Sequence, residues 1–334
     1  MLLDTKKGPL VRLRRLRMHT ALREMVRETR LGLQDLVLPI FIKGLSGEKQ
    51  PILSMPGHYQ IPLLRLEREI EEILSLGITS IILFGVPFYK DDAGSDSCHE
   101  DGIIQQAVRK IKSISNDILV ICDVCLCEYT DHGHCGVIRR KNQFSIIDND
   151  ATLDVLKKQA LSYAYSGADV LAPSGMMDGS VMALREELDK HGFEEIPILS
   201  YSIKYHSSLY GPFRMAAEGA PSFGDRSSHQ MDCANIAEAI REASLDIEEG
   251  ADLIMVKPAH TYLDVITKVK SNFPYIPLGA YHTSGEYAMI KAAAEKGWLD
   301  EKKGALEILT SIKRAGADFI ISYYTKEIAE KKWI

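Results

Sequence analysis

The chain has 334 residues and a mass of 37.3 kDa, a size that suits either one large α/β barrel or two ordinary domains. Hydrophobic residues make up 46% and charged residues 26%, which is typical of a globular protein and excludes disordered, collagenous and fibrous classes. The sequence contains no apolar run long enough to span a membrane and no apolar segment after its basic N-terminus. We therefore expect a cytoplasmic protein without a membrane partner.

The net charge of −6 argues against a general nucleic-acid binder, but this charge is spread unevenly. Residues 1–31 hold nine Lys or Arg and three acids, so this arm carries +6 and the rest of the chain −12. Six of the basic residues are Arg12, Arg14, Arg15, Arg17, Arg23 and Arg27. The arm could bind nucleic acid or direct targeting to an organelle. We favour packing on an acidic neighbour in a homo-oligomer, where the complementary charge is already present.

Eight short apolar, β-branched runs predict strands along the chain. They span residues 36–42, 80–86, 119–126, 170–172, 196–201, 253–256, 277–281 and 319–324. Segments with helical periodicity separate most of them, for example Leu66, Ile70 and Ile73. The tripeptide Gly-Ala-Asp introduces three strands, where a glycine suits the end of the preceding helix. These tripeptides begin at Gly167, Gly250 and Gly316.

This alternation predicts a closed parallel (β/α)8 TIM barrel at residues 32–334, preceded by the extended arm at residues 1–31. An open Rossmann sheet is the alternative, which is weakened because the chain contains neither a G-x-G-x-x-G motif nor a P-loop. In a barrel of this kind, functional side chains lie at the carboxyl ends of the strands.

Four of the six cysteines lie within fourteen residues at the end of the third predicted strand. A C-x-C-x7-C pattern is formed by Cys125, Cys127 and Cys135. Three thiolates suit Zn²⁺ and leave a coordination position open, although three thiols without metal are the alternative. The period of a strand would put Asp123 on the same face as Cys125 and Cys127, with Cys122 in the core behind them. His132 and His134 could add a ligand or orient one.

The fifth and sixth predicted strands each end in a lysine, Lys204 and Lys257. In a barrel these strands are neighbours, so burial and mutual repulsion would lower a lysine pKa and free an amine for Schiff-base chemistry. The alternative for a single strand-end lysine is a snorkelling surface residue. The 48 residues between the two strands are long enough for a lid. This segment carries Arg214 and Arg226, which suit a substrate carboxylate unless they are solvated loop residues.

As an ordered set, these features resemble the porphobilinogen synthase family, also called 5-aminolevulinate dehydratase, over nearly the whole chain. The supporting segments are residues 12–17, 38–41, 123–127, 132–136, 172–174, 201–204, 210–214, 255–258, 281–286 and 323–325. The resemblance implies a metal-dependent barrel that joins two 5-aminolevulinate molecules into porphobilinogen with loss of two waters, in heme biosynthesis. It also implies an allosteric homo-oligomer, expected as an octamer.

Residue roles also follow from the resemblance. Lys257 would form a Schiff base with the first substrate, Lys204 would bind the second, and the three cysteines would hold zinc beside it. The implied substrate-binding residues are Asp123, Ser174, Arg214, Arg226, Tyr210, Gln230, Ser284 and Tyr323. Asp123 and Ser174 would lie near the first amine, Ser284 and Tyr323 would take the first carboxylate, and the two arginines would take the second. Glu242 resembles the ligand of a stimulatory magnesium site, with an exposed helical glutamate as the alternative.

Three positions, Gly175, Ser180 and Cys233, differ from the family pattern, and the first two involve neither the lysines nor the cysteine trio. Two other functions can be compared with the condensation. A Schiff-base aldolase would explain Lys257 but leave Lys204 and the cysteines without a role. A zinc-stabilised module that binds nucleic acid would need four closed ligands and no paired buried amines. The condensation uses all of these residues together.

Overall fold

In the computed structural model, which describes residues 11–44, 47–141 and 144–334, the eight predicted strands form one parallel barrel. The strands of this part of the chain are β1 (Leu36–Lys43), β2 (Gln50–Pro51), β3 (Tyr59–Pro62), β4 (Ser80–Val86), β5 (Leu119–Val124), β6 (Ile138–Lys141), β7 (Phe144–Ile147), β8 (Val170–Pro173), β9 (Leu199–Lys204), β10 (Leu253–Lys257), β11 (Leu278–His282) and β12 (Phe319–Ser322). The predicted barrel fold is confirmed.

Helices follow most barrel strands and cover the outside of the sheet. They are α1 (Thr20–Met25), α2 (Leu66–Ser75), α3 (Ile103–Ile114), α4 (Asn149–Ser166), α5 (Ser180–Lys190), α6 (Gly211–Ala216), α7 (Ala237–Glu248), α8 (Leu263–Asn272), α9 (Ser284–Glu295), α10 (Glu301–Ala315) and α11 (Thr325–Glu330). The predicted apolar face of α2 is buried at Leu66, Ile70 and Ile73. None of the helices described here is long and apolar enough to cross a membrane.

The barrel strands pair in the order β8-β5-β4-β1-β12-β11-β10-β9, and all these pairs are parallel. The ring closes between β8 and the entry to β9, where Leu171 bridges Ile198 and its N–H donates to the Pro197 carbonyl at 3.1 Å. Closure of the ring excludes the open Rossmann sheet.

The three Gly-Ala-Asp tripeptides form the same turn. Each glycine has a positive φ, of 97°, 104° and 123° at Gly167, Gly250 and Gly316. The following aspartates accept backbone N–H groups of the adjacent chain segment: Asp169 from Val120 at 2.7 Å, Asp252 from Ile198 at 2.8 Å and Asp318 from Leu278 at 2.7 Å. Each turn therefore ends a helix and ties the next strand to its neighbour.

Two β-hairpins lie outside the barrel ring. β2 and β3 are antiparallel, and β3 also pairs in parallel with the carboxyl half of β1, where Phe41 faces Gln60. β6 and β7 form the second hairpin, shortly after Cys135. Both hairpins lie on connections that follow the carboxyl end of a barrel strand, the end that carries functional side chains in such barrels.

The third barrel strand ends at Val124, two residues earlier than predicted. The N–H groups of Tyr129 and Thr130 donate to the Leu126 carbonyl at 2.9 and 3.0 Å, so the chain turns immediately after the strand. The prediction that Cys125 and Cys127 share a face of a pleated strand is therefore wrong. The turn, not strand periodicity, brings their thiols together.

The described part of the arm extends from the barrel as a short 3-10 turn, Leu13–Arg17, followed by α1. Residues 1–10 of the predicted arm lie outside the described part of the chain. From residue 11 to residue 30 the side chains are exposed, except those of Leu22 and Thr29, which are half-buried. Exposed apolar side chains include Val11, Leu13, Leu16, Met18 and Met25. The division at residue 31 stays a prediction.

Candidate active site

The two strand-end lysines lie side by side in the mouth of the barrel. Strand register pairs Lys257 at the end of β10 with Lys204 at the end of β9. Each residue is only 5% exposed, so neither snorkels to the surface. The Lys204 Nζ donates to the Ser174 carbonyl at the end of β8, at 2.5 Å. Two amines thus share one water-poor site.

Aromatic rings surround the Lys257 amine. Its Nζ lies 4.2 Å from the ring centre of Tyr281, 5.1 Å from those of Tyr201 and Phe213, and 5.2 Å from that of Tyr210. Sequence reasoning gave Tyr201, Phe213 and Tyr281 no role, although all three stand in the motif segments. The rings shield the amine from water and place aromatic faces around it.

Burial lowers the pKa of Lys257 to about 7, and the positive charge of Lys204 lowers it in the same direction. The negative charge of Asp123 works against both effects. A lysine with a pKa near 7 is largely a neutral amine at physiological pH, whereas an ordinary lysine is almost fully protonated. Lys257 therefore has the protonation state that a nucleophile for carbonyl carbon requires.

Two buried carboxyl groups face the lysines. Asp123 accepts the Ser174 hydroxyl at 3.0 Å, and its other oxygen is buried without a hydrogen-bond partner among the described residues. Burial raises the pKa of Asp123 to about 8, with a further contribution from Glu128. Burial and the neighbouring Cys127 raise the pKa of Glu128 to about 8 as well. Glu128 was not identified as a site residue from the sequence, because nothing there marks it beyond its position after Cys127. Both carboxyls can hold or release a proton near neutral pH.

The predicted cysteine trio converges. Ligand atoms of Cys125, Cys127 and Cys135 lie within 4.8 Å of one another, and all three residues are buried. The S–H groups of the other two cysteines hold the pKa of Cys135 well below its usual value. The contacts of Cys125 with Cys127 and Cys135, together with burial, raise the pKa of Cys125. A compact, buried set of three sulfur donors fits a soft metal ion such as zinc. Cys122 is buried in the barrel core, as predicted.

Helix α4 supports the turn that carries the trio. The Gln159 side chain donates to the Cys125 carbonyl at 3.0 Å and contacts the Tyr163 hydroxyl at 2.9 Å. That hydroxyl in turn pairs with the Tyr129 hydroxyl, also at 2.9 Å. This buried chain orients the backbone of the cysteine turn, and only the folded arrangement identifies it.

The two histidines near the trio do not join the thiol cluster. They contact the connection between β9 and β10, residues 205–252, which is the segment predicted as a lid. A ring nitrogen of His134 lies 2.9 Å from the Phe223 carbonyl, and the Ser222 N–H donates to the His132 carbonyl at 3.0 Å. Arg226 of the lid is only 3% exposed and donates to the carbonyls of Gly133 and Gly219 at 2.9 and 2.7 Å. The lid is therefore fastened to the cysteine loop.

Three other predicted substrate-binding residues, Arg214, Gln230 and Tyr210, belong to the lid. Arg214 is half-buried, and burial together with the charge of Arg226 lowers its pKa. Both polar atoms of the Gln230 amide are buried without a hydrogen-bond partner in the described part of the chain. The Tyr210 hydroxyl donates to the carbonyls of Tyr205 and Lys257 at 2.7 and 3.1 Å, which holds the lid to the end of β10.

Ser284 and Tyr323 lie on the Lys257 side of the barrel mouth. The Ser284 hydroxyl accepts the Phe213 N–H at 2.9 Å, and the Tyr323 hydroxyl pairs with that of Tyr281 at 3.1 Å. Phe213 and Tyr281 belong to the aromatic cage of Lys257. Two hydroxyls therefore border the cage, while the arginines lie on the cysteine side.

Glu242 belongs to a different region, on α7. It lines a cavity of about 410 Å³ together with Asp178, His229 and Gln230. Burial, Asp246 and Asp178 raise the pKa of Glu242 to about 7. The glutamate is thus half-buried within an acidic group, in contrast to a freely exposed helical residue. Cys233, one of the positions that differ from the family pattern, is exposed and apart from the trio.

A family model described as delta-aminolevulinic acid dehydratase matches residues 10–331. A relative of that name from Archaeoglobus fulgidus is 55% identical over 323 residues, 97% of this chain and 98% of its own length. A second, from Halalkalibacterium halodurans, is 54% identical over 321 residues, 96% of each chain. The Toxoplasma gondii delta-aminolevulinic acid dehydratase (porphobilinogen synthase), solved with its reaction product porphobilinogen, superposes with a TM-score of 0.93 at 42% identity. The superposition covers 97% of this chain and 92% of that one.

The proximity of the two lysines makes a testable prediction. Lys204→Met removes the positive charge beside Lys257, so the pKa of Lys257 should rise by about one pH unit. Carbamylation of Lys257 by cyanate, followed by peptide mass spectrometry across pH, measures this change as a midpoint moved to higher pH. Lys204→Arg keeps the charge and should leave the midpoint near that of the unmodified protein. An unchanged midpoint in Lys204→Met would show that the two amines do not interact.

Proposed function

The chain belongs to the delta-aminolevulinic acid dehydratase family, and we propose that it condenses two molecules of 5-aminolevulinate to porphobilinogen with loss of two waters. This is a lyase reaction that leads to heme and other tetrapyrroles. The observation that carries the proposal is the pair of buried lysines at neighbouring strand ends, beside a trio of converging thiols. An aldolase would need only one of the lysines, and a structural zinc module would need neither.

Lys257 is the residue we propose for the imine. Its neutral amine attacks carbon 4 of the first substrate, and the resulting carbinolamine loses water to form a protonated Schiff base. That cation withdraws electrons from carbon 4, which then accepts a nucleophile, and it acidifies the protons of the adjacent carbons. The aromatic cage supports this role because it keeps water away from the imine.

Lys204, Asp123 and Ser174 are proposed to handle the other reacting groups. Lys204 would bind the second substrate through its carbonyl, as an imine or as a cationic hydrogen-bond donor. Asp123 and Ser174 would receive the amine of the first substrate. The unpartnered oxygen of Asp123 supports this role, because a buried acceptor without a donor is costly unless a ligand supplies one. A carboxyl with a pKa near 8 exchanges its proton close to neutral pH, and in its ionised form Asp123 can take up the proton that an attacking amine releases.

Carboxylate binding is proposed at two separate positions. Ser284 and Tyr323, with Tyr210 beside them, would take the carboxylate of the substrate on Lys257. Arg214 and Arg226, with the amide of Gln230, would take that of the second substrate. Charge and donor geometry support this division, since guanidinium groups suit a carboxylate and Gln230 has two buried polar atoms free to contact a ligand.

We propose that the cysteine trio holds zinc. The ion, when bound, supplies a Lewis acid that polarises the carbonyl or binds the amine of the second substrate. Cys125, Cys127 and Cys135 would be its protein ligands, and the Gln159 contact would keep their turn in shape. Glu242 is proposed as a magnesium ligand that acts on the oligomer, and the acidic groups of Asp178 and Asp246 around it support a cation there.

We propose that the arm contacts another copy of the chain in a homo-oligomer, expected as an octamer. The exposed apolar side chains between Val11 and Met25 support this, because they would lose their contact with water in such an interface. The opposite net charges of the arm and of the rest of the chain support it as well. The absence of a nucleic-acid partner and the cytoplasmic location stay predictions from composition.

The imine can be tested directly. Borohydride added with 5-aminolevulinate should reduce the Schiff base and attach the substrate covalently to Lys257, which peptide mass spectrometry identifies. Lys257→Ala should lose pyrrole formation by at least about 1,000-fold, because it removes the nucleophile. Lys204→Ala should still be trapped at Lys257. Pyrrole production at the normal rate by Lys257→Ala would overturn the proposed mechanism.

The metal site makes a second prediction. Cys125→Ala combined with Cys127→Ala should abolish stoichiometric zinc binding, measured by metal analysis, and lower pyrrole formation at least about 100-fold. Its thermal transition should stay within about 5 °C, because the site is expected to serve catalysis and not folding. Cys98→Ala, a half-buried cysteine outside the trio, is the matched control and should keep its zinc. Outright unfolding of the double variant would make the metal structural.

The arm makes a third prediction. Deletion of residues 1–30 should give particles with fewer chains, counted as the light-scattering mass divided by the mass of the shortened chain, while each chain keeps its barrel fold by circular dichroism. A full-length variant with serine at Val11, Leu13 and Leu16 tests the apolar contacts separately and should shift the mass in the same direction. If the number of chains per particle stayed constant while affinity for nucleic acid disappeared, the arm would bind nucleic acid instead.

A further inference from the structure

Glu286 is a fully buried carboxylate to which the proposed chemistry gives no role. It lies in the first turn of α9. One of its oxygens accepts the backbone N–H of Thr283 at 2.5 Å and the Thr283 hydroxyl at 2.9 Å. Its other oxygen accepts the backbone N–H of His260, also at 2.5 Å. The carboxylate therefore joins two segments that are distant in sequence.

These two segments follow neighbouring barrel strands. His260 follows the end of β10, three residues after Lys257, and Thr283 follows the end of β11, immediately before Ser284. β10 and β11 pair in parallel, with Val256 opposite Ala280. Glu286 thus bridges the backbone that carries the proposed imine lysine to the backbone that carries a proposed carboxylate-binding serine.

Helix capping alone does not account for this bridge. The contacts between Thr283 and Glu286 form a capping box, which needs only one carboxylate oxygen. The second carboxylate oxygen accepts the His260 N–H, which follows a different strand, β10. Burial raises the pKa of Glu286 to about 7. Hydrogen bonds from Thr283, His260 and Ala259 lower this pKa in part, because they favour the ionised form. A buried carboxylate that depends on these donors holds their backbone positions in return.

The lid also contacts the start of α9, where Glu286 makes its bridge. The Ser284 hydroxyl accepts the Phe213 N–H and donates to the Leu209 carbonyl at 3.3 Å. A Cβ added at Gly285 would lie 2.5 Å from the Leu209 oxygen, so the backbones of α9 and the lid are in direct contact there. A displacement of the start of α9 would therefore move Phe213 of the aromatic cage as well as Ser284.

We propose that Glu286 is a positioning residue that fixes the separation between the Lys257 amine and the Ser284 hydroxyl, and thereby selects keto acids by chain length. The inference rests on the proposed function. In 5-aminolevulinate two methylenes separate the keto carbon from the carboxylate. The bridge sets the distance between the Lys257 Nζ, which binds the keto carbon, and the Ser284 hydroxyl, which binds the carboxylate. A γ-keto acid fits this distance, and a longer homologue does not.

The test compares three ketones that can be trapped on Lys257 by borohydride in the full-length protein. They are 4-oxopentanoate with the γ-keto spacing, 5-oxohexanoate with one more methylene, and 2-pentanone without a carboxylate. The unmodified protein should prefer 4-oxopentanoate to 5-oxohexanoate by at least about tenfold, the usual effect of one methylene. Glu286→Gln, which replaces one acceptor oxygen by an amide donor, should reduce this preference to about twofold or less. Trapping of 2-pentanone measures any change in the reactivity of the Lys257 amine itself, and the trapping of both keto acids is divided by it. A preference that stays at the unmodified value would overturn the proposal.

Two further variants separate positioning from stability. Glu286→Asp keeps the charge and can still cap α9, but it is too short to span both strand ends, so it should lose the preference as Glu286→Gln does. It also serves as the test if Glu286→Gln does not fold. Asp300→Asn makes the same carboxylate-to-amide change at the exposed start of α10, where Asp300 accepts the Lys303 N–H at 3.0 Å.

Asp300→Asn should keep the full preference for 4-oxopentanoate over 5-oxohexanoate. If this control lost as much of the preference as Glu286→Gln, the effect of Glu286 would be one of general stability and the proposal would be overturned. Failure of the proposed function gives a different result, since the unmodified protein would then form no pyrrole from 5-aminolevulinate, whatever its preference among the three ketones.

Discussion

The parallel register of β9 and β10 brings two lysine amines together in the interior of the barrel mouth, and the surrounding site depends on this pairing. Burying even one ammonium group is costly, and two adjacent ones repel each other as well. The barrel reduces this cost in two ways. Lys257 holds its proton weakly, and Lys204 donates to a backbone carbonyl within the site. Asp123 and Glu128 supply nearby groups that can carry negative charge. The same burial and repulsion that make the amines costly to bury lower the pKa of Lys257 to about 7.

The long connection between these two strands completes the site and closes it. It contributes two aromatic rings to the Lys257 cage and two arginines to the cysteine side, so both halves of the mouth include lid residues. It is fastened at three points: Arg226 to the cysteine loop, Tyr210 to the end of β10, and Ser284 to the start of α6. These contacts exclude water, which strengthens every charge interaction inside. Glu286 adds a backbone connection on the Lys257 side, because its carboxylate accepts N–H groups that follow both β10 and β11.

Barrel strands are buried on both faces, so they appear in the sequence as short continuous apolar runs, and for this reason all eight could be predicted. The cysteine trio and the two lysines were also predictable, because each is marked by residue type next to a strand end. The end of the third strand was predicted two residues too late, since apolar residues continue into the turn around Leu126. Glu128, Gln159 and Glu286 could not be identified in this way. Their importance depends on which groups lie opposite them in the fold.

Residue chemistry and local pattern by themselves determined the barrel class, the soft three-thiol donor set and the strand-end lysines, because these depend on composition and spacing over a few residues. Only the tertiary structure decided which groups share a charge environment. Asp123, Ser174 and Lys257 lie at or just after the ends of three strands, up to 134 residues apart in the chain, and closure of the ring brings them to one mouth. The lowered pKa of Lys257 exists only there. Electrostatic and desolvation energies depend on distance through space and on exclusion of water, and neither can be read from distance along the chain.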